Sequence, residues 1–343
     1  MKNWLFFLLF FLPGNQSFSQ TDIPIIQQLD LSAAPKGQVS RYWLHLTDNG
    51  LSQPVLVPVI VAKGLEDGPV LGLTAAIHGN ELNGIPVIQQ VFQMLDAETL
   101  KGTLVGVPGL NTPGIEANQR EFTDGTDLNR IFPGKAKGNE SQQFTYYIFE
   151  KIAKHVDVLI DMHTASFGRV NSMYVRADVA DDTLEKLAAL QFPDIIVVNK
   201  GNPSAGGDGK TLRAEAADHG IPCLTIEYGN PQVYQSDMTD RGVAGILNAM
   251  SYLGMTNDPI TESRMPTVVC SKSFWIYTDM GGLLEVPVEL TQQVKKGDVI
   301  GVLRNPFGDI LKTYTAPEDG VVIGKSTNPV NRSGGRILHL GVK

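Results

Sequence analysis

Between residues 55 and 253 the chain alternates short apolar runs with stretches whose apolar residues recur every three or four positions. Few folds satisfy that alternation. Parallel strands need long crossovers, and helices supply them while covering both faces of a sheet. Val55 to Ala62 reads as a strand, and its Pro58 suggests a sheet edge. Pro69 to Ile77 reads as a second strand, ending at His78. Ile85, Ile88, Val91, Phe92 and Leu95 keep helical spacing, and Leu104 to Val107 reads as a strand again. A helix over Gln142–Ile152 leads into Val156–Ile160, a strand expected to be covered on both faces. Strands Met173–Val175, Ile195–Val198 and Cys223–Ile226 follow, with helices at Leu184–Leu190, Leu212–Asp218 and Asp240–Leu253. The fold class is therefore α/β, a mixed and mostly parallel sheet flanked by helices.

The texture changes near residue 254. Asn257 to Pro266 is polar and carries two prolines, as linkers do. From Thr267 onward short strands are split by glycine turns such as Gly281-Gly282, Phe307-Gly308-Asp309 and Gly334-Gly335, and no helical period survives. We therefore expect a catalytic domain over 20–256 and a small all-β domain over 267–343.

Residues 1–19 form a different kind of segment. Lys2, the apolar run Trp4–Leu12 and the small residues Ser17 and Ser19 make an export signal with cleavage expected after Ser19. The run is shorter than the about 20 apolar residues a membrane span needs, so no span is expected after cleavage. The mature protein is expected in the periplasm or outside the cell. The net charge of −8, with both signs scattered, argues against nucleic acid as a partner. Cys223 and Cys270 are too few for a cysteine metal cluster, and whether they pair is open. Any metal must then use histidine and carboxylate.

His78-Gly79-Asn80-Glu81 sits between an apolar strand and a helix, where ligands of open α/β sheets collect. Histidine and glutamate three apart at such a turn can face one ion, and zinc accepts both donor types. Catalytic zinc keeps three protein ligands, and His163 in Asp161-Met162-His163 ends a strand of the same sheet. Asp161 is placed to orient that region. Taken singly, each motif is also compatible with an ordinary hydrogen-bonded histidine.

Between these segments runs a long polar stretch from Arg120 to Gly134. Arg130 with Asn129 suits the grip of a substrate carboxylate, and Arg120 suits an oxygen that becomes negative when a carbonyl is attacked. Arg213 is a weaker candidate for a second anion contact. The alternative for these arginines is a solvated loop with ordinary ion pairs. Glu227 follows the strand Cys223–Ile226 and is placed to take a proton from water and pass it to a leaving amine. The alternative is a glutamate that only caps or pairs.

Together, His78-Gly-Asn-Glu81, Asp127-Leu-Asn-Arg130, Asp161-Met-His163 and Ile226-Glu227 resemble the succinylglutamate desuccinylase/aspartoacylase family, related to zinc carboxypeptidases, over roughly residues 40–343. The resemblance implies one zinc ion on His78, Glu81 and His163, Asn129 and Arg130 at a substrate carboxylate, Arg120 at the oxyanion and Glu227 as general base. It implies a small N-acyl amino acid or short peptide as substrate. The tail is also similar to lipoyl/biotinyl-type sandwiches, but the hairpin Arg304–Asp309 has no lysine, so no covalently attached cofactor is expected. Two other functions stay open: a carboxypeptidase acting on peptides or cell-wall peptides, and a zinc-containing binding protein without turnover. An oligomer is also open.

Overall fold

The structure is a computed structural model that describes residues 23–199, 210–262 and 266–343. The expected export signal lies outside the described residues. The strands up to the linker are β1 (Ile25–Ile26), β2 (Gln38–Asp48), β3 (Pro54–Lys63), β4 (Glu66–Ala75), β5 (Lys101–Val107), β6 (Val158–His163), β7 (Arg169–Asn171), β8 (Met173–Ala177), β9 (Ile195–Val198) and β10 (Cys223–Tyr228). The helices are α1 (Gly84–Met94), α2 (Thr112–Glu116), α3 (Glu140–Lys151), α4 (Asp182–Leu190), α5 (Leu212–Asp218) and α6 (Ser236–Tyr252). After the linker come β11 (Val268–Cys270), β12 (Lys272–Tyr277), β13 (Gly282–Glu285), β14 (Gln293–Val294), β15 (Val299–Arg304), β16 (Ile310–Thr315), β17 (Gly320–Ser326), β18 (Val330–Asn331) and β19 (Arg336–Val342).

One ten-stranded sheet runs β1-β2-β3-β5-β4-β6-β10-β8-β9-β11. Its centre, β5-β4-β6-β10, is parallel, so four carboxyl ends meet at one edge. β8 runs antiparallel to β10 and therefore begins at that same edge. α1, α4 and α6 bury Val87, Ile88, Leu187 and Ile246 against one face. α3 and α5 bury Phe144, Ile148 and Leu212 against the other. This is the mixed, helix-flanked sheet that the alternation of the sequence predicts.

Two local expectations change. Pro58 is not on an edge strand, because β3 lies between β2 and β5. The pairing of β3 with β5 starts only at Ile60, so Pro58 sits where the strand has β2 as its one paired neighbour and no ladder N–H is missed. The strand expected from Val156 begins at Val158, because Asp157 interrupts the apolar run and accepts the Val70 N–H at 2.8 Å.

The tail forms a sheet β12-β19-β17-β14 and a sheet β16-β15-β13-β18 around Leu303, Ile337, Leu338 and Leu340. Sheet pairing crosses the boundary near residue 260 in both directions. β11 adds to the large sheet beside β9, and β7 adds to the small sheet beside β17. A separate apolar cluster of Tyr174, Ile195, Val197, Cys270, Val321 and Ile323 fills the junction. Cys223 and Cys270 are both free and buried. They lie on β10 and β11, three strand spacings apart, or about 14 Å at ~4.8 Å each, too far for a disulfide.

Ile160 is fully buried on the central strand between β4 and β10. Ile160→Ala is expected to cost about 2–5 kcal/mol, whereas Leu51→Ala, at an 81% exposed loop position, should change stability by less than about 0.5 kcal/mol. Urea unfolding of both variants checks this.

Candidate metal centre and reaction cavity

His78 follows β4 through a turn that the sheet alone would not make. Ala76 adopts a left-handed conformation with φ of 56°, held by Leu110 N–H on the Ala75 carbonyl at 2.9 Å and Asn111 N–H on that of Ala76 at 3.0 Å. Glu81 N–H then closes on the His78 carbonyl at 3.0 Å. Gly79 is required here, but not to clear room for an ion as its place between two donors suggests. A Cβ at residue 79 would lie 2.0 Å from the Gly114 carbonyl carbon, so the glycine admits the α2 backbone.

His78, Glu81 and His163 are brought together and nearly fully buried. The His163 Nδ1 lies 2.8 Å from Glu81 Oε2 and 3.2 Å from His78 Nδ1, and His78 Nδ1 lies 3.0 Å from the same oxygen. Tetrahedral zinc with bonds near 2.0–2.1 Å sets its ligands about 3.3 Å apart, so the triangle has the size of one face of such a site. Each imidazole is also held from behind. His163 Nε2 meets Asp161 Oδ2 at 2.8 Å, and His78 Nε2 meets Asp127 Oδ1 at 3.0 Å. Those carboxylates hold the proton on Nε2 and turn both Nδ1 lone pairs inward. Asp161 is fixed in turn by the Thr74 hydroxyl at 2.8 Å.

Burial opposes charge on these groups, yet the cluster outweighs it. The two histidines hold the Glu81 carboxyl well below the usual range, and Asp161 and Glu81 hold the His163 imidazolium well above its own. The centre thus favours positive charge between its donors, which a proton or a metal cation can supply.

Glu227 pairs in register with His163 across the parallel β6–β10 ladder. Tyr174 OH donates to its Oε1 at 3.2 Å and Asn171 Nδ2 to its Oε2 at 3.1 Å. Burial and the nearby Glu81 charge raise the Glu227 carboxyl above the usual range. Arg176 donates to the Tyr174 oxygen at 3.2 Å. Burial keeps that phenol neutral and hence able to donate.

Arg120 is more committed than its sequence position suggests. Its Nε and Nη2 meet Asp127 Oδ2 at 3.1 and 2.8 Å, while Nη1 meets Glu81 Oε1 at 2.8 Å and also Ser166 Oγ. Guanidinium has five N–H bonds, so one Nη2–H is left for a ligand. Asn129 is likewise half used: its oxygen accepts Leu212 N–H at 2.7 Å and its amide lies 3.4 Å from His163 Nε2. Arg130 bonds the Asn129 carbonyl at 2.7 Å and reaches the cavity wall. Arg213 is 5% exposed and, among the described residues, has no ion-pair or side-chain hydrogen-bond partner.

All eight sequence-predicted residues line one cavity of about 310 Å³. A larger cavity of about 710 Å³ beside Trp43 and Pro113 contains none of them and, among the described residues, no histidine, lysine or arginine. Sequence reasoning missed Ser166, Asn171, Tyr174, Arg176, Trp275 and Arg336, which also line the smaller cavity, and the clamp role of Asp127. One signal was available: Asp161/His163, Tyr174/Arg176 and Thr225/Glu227 are polar at alternate positions of otherwise apolar strands, so each pair shares a face. No comparable signal marks Trp275 or Arg336, whose place depends on how the tail docks.

A mixed sheet whose carboxyl edge carries a buried His-Glu-His group, a facing carboxylate and convergent arginines defines an α/β amide hydrolase. The catalytic-domain model of the succinylglutamate desuccinylase/aspartoacylase family matches residues 67–253, and the chain belongs to that family. It is 28% identical over 284 residues to N-alpha-acetyl-L-2,4-diaminobutyric acid deacetylase of Halomonas elongata, covering 79% of this chain and 81% of that one. The product-bound ectoine utilization protein EutE (DoeB) of Ruegeria pomeroyi shares the fold, with a TM-score of 0.81 at 22% identity, covering 91% of this chain and 98% of that one. So does a succinylglutamate desuccinylase of Silicibacter sp. TM1040, with a TM-score of 0.78 at 22% identity over 90% and 97% of the two chains.

Asp161→Ala should weaken the binding of a metal ion, tested with zinc, at the His78-Glu81-His163 group by about 10–100-fold. Competition with a chromogenic chelator measures it; unchanged affinity would mean that Asp161 does not orient His163.

Proposed function

We propose that this protein is an exported, zinc-dependent hydrolase that cleaves the amide bond of an N-acyl amino acid. The observation that carries the reading is the register of β6 and β10, which sets Glu227 opposite His163 beside the donor triangle. Zinc held by His78, Glu81 and His163 would polarise the amide carbonyl and acidify water. The family and the named acyl-amino-acid relative support the amide as the bond broken.

The chain's own groups divide the remaining work. The Glu227 carboxylate takes a proton from the attacking water as the new C–O bond forms. Arg120 offers its remaining Nη2–H to the carbonyl oxygen, which gains negative charge. Glu227 then returns the proton to the amine nitrogen, the C–N bond breaks, and a carboxylic acid and a free amine leave. Arg130, the unused Asn129 N–H and Arg213 hold the substrate carboxylate. Asn171 and Tyr174 fix both Glu227 oxygens, so the base keeps its aim.

Glu227→Gln should lower kcat by about 10²–10⁴-fold with zinc retained; wild-type turnover in this variant sinks the reading. The base works only when ionised, so kcat/KM should fall as pH drops through the raised Glu227 pKa. The acid limb should therefore lie above the usual carboxylate range. Asn171 and Tyr174 donate to the ionised form, so Asn171→Ala and Tyr174→Phe should each move that limb to higher pH. A pH–rate profile of the three proteins is the measurement.

Export is part of the same proposal and rests on residues 1–19. N-terminal sequencing of protein recovered from outside the inner membrane should start at Gln20; a chain that keeps Met1 and stays in the cytoplasm overturns it.

A further inference from the structure

A second cavity of about 310 Å³ adjoins the first and shares Arg169 and Arg336 with it. It lies between the loop leading into β7 and the β17–β19 region of the tail, and Arg332 also lines it. No aspartate or glutamate among the described residues does. Among the described residues, none of these three arginines has an ion pair or a side-chain hydrogen bond, although the chain's net charge is −8. Arg120 by contrast holds two carboxylates. Arg169 and Arg336 lie over the same indole, 5.8 and 5.4 Å from the Trp275 ring. The ring offsets only part of the cost of gathering like charges, and both burial and Arg336 weigh against the Arg169 charge. An anion between these guanidinium groups would relieve that repulsion and accept their hydrogen bonds. The walls also carry Phe167 and Val330, exposed at 63% and 66%, which offer apolar contact on the way out.

We propose that this outer cavity is a second anion subsite, which takes the end of an extended substrate arm that is apolar along its middle and negatively charged at its tip. The proposal rests on the amide-hydrolase reading and adds to it a selection for length and for a distal charge. The inner groups already serve the amide and one carboxylate, so the outer arginines act on whichever arm of the substrate leaves the reaction cavity. That arm is either the acyl chain or the chain attached to the amine.

The test compares kcat/KM for matched pairs. On the acyl arm, N-succinyl- and N-adipoyl-alanine are set against N-butyryl- and N-hexanoyl-alanine. On the amine arm, N-acetyl-alanyl-glutamate is set against N-acetyl-alanyl-glutamine. One arm should favour the charged member, on the acyl arm by more for adipoyl than for succinyl, and Arg332→Glu or Arg336→Glu should cut that charged-to-neutral ratio at least tenfold. Because each ratio is internal to one protein, partial misfolding does not mimic the result. Ratios near one on both arms, with amides still cleaved, overturn the subsite and leave the hydrolase reading intact. A second readout needs no turnover. Adipate should change tryptophan fluorescence saturably, and the change should vanish in Trp275→Phe and in Arg332→Glu. No saturable change in the wild type overturns the subsite. Adipate binding in a protein that cleaves none of these amides supports the subsite and sinks the hydrolase reading.

Discussion

The parallel pairing of β4, β6 and β10 is the constraint on which the site depends. Because all three strands end at one edge, residues 85 and 64 positions apart in the chain, His78 and His163, then Glu227, become neighbours without any long-range loop having to find its place. Period-two geometry does the rest. Asp161 and His163 share one face of β6, so a strand buried on both sides can carry a ligand and the carboxylate that orients it. A one-residue slip of β10 against β6 would turn Glu227 to the opposite face, and the burial of Leu224 and Ile226 opposes that slip.

This explains what could be read from the sequence. Strand ends are visible as the point where an apolar run stops, so His78, His163 and Glu227 could be placed at one edge before any coordinates. Asp127 was visible as the first residue of the Asp127-Leu-Asn-Arg130 motif in a polar loop, but not as a clamp. Its clamp on His78 Nε2 and Arg120 depends on the loop folding back over the cavity, a long-range event with no periodic trace. Gly79 shows a different limit. Its identity was legible and its reason was not, because the backbone it admits belongs to α2, more than thirty residues on.

The division into a catalytic domain and a β tail, natural in sequence, is not how the sheets are paired. The chain leaves β6 at His163, crosses to the small sheet as β7, and returns to the large sheet as β8. Ser172 marks the crossing, its N–H and hydroxyl both bonded to the Ile323 carbonyl at 2.9 and 3.0 Å. Asn171 stands on one side of that crossing and Tyr174 on the other, and each holds one oxygen of Glu227. Gly324 opposite Asn171 is part of the same fit, since a Cβ there would lie 2.3 Å from the Asn171 side-chain oxygen. The tail is thus a brace for a carboxylate in the main sheet, and Trp275, stacked on His339 across β12 and β19, brings its own wall to the cavity.

Arg120 ties these parts into one electrostatic unit. It neutralises Glu81 Oε1 while Glu81 Oε2 faces the histidines, so the two oxygens of one carboxylate serve different partners. It also neutralises Asp127, a partly buried carboxylate that otherwise meets only the His78 imidazole and the Asn129 N–H among the described residues. The group we propose for the developing oxyanion is therefore also the group that holds Glu81 and Asp127 beside the histidines. Removing it should not behave as the loss of one hydrogen bond. Two carboxylates, Glu81 buried and Asp127 partly buried, would lose their cation together, and effects on metal affinity and on turnover would be coupled rather than additive.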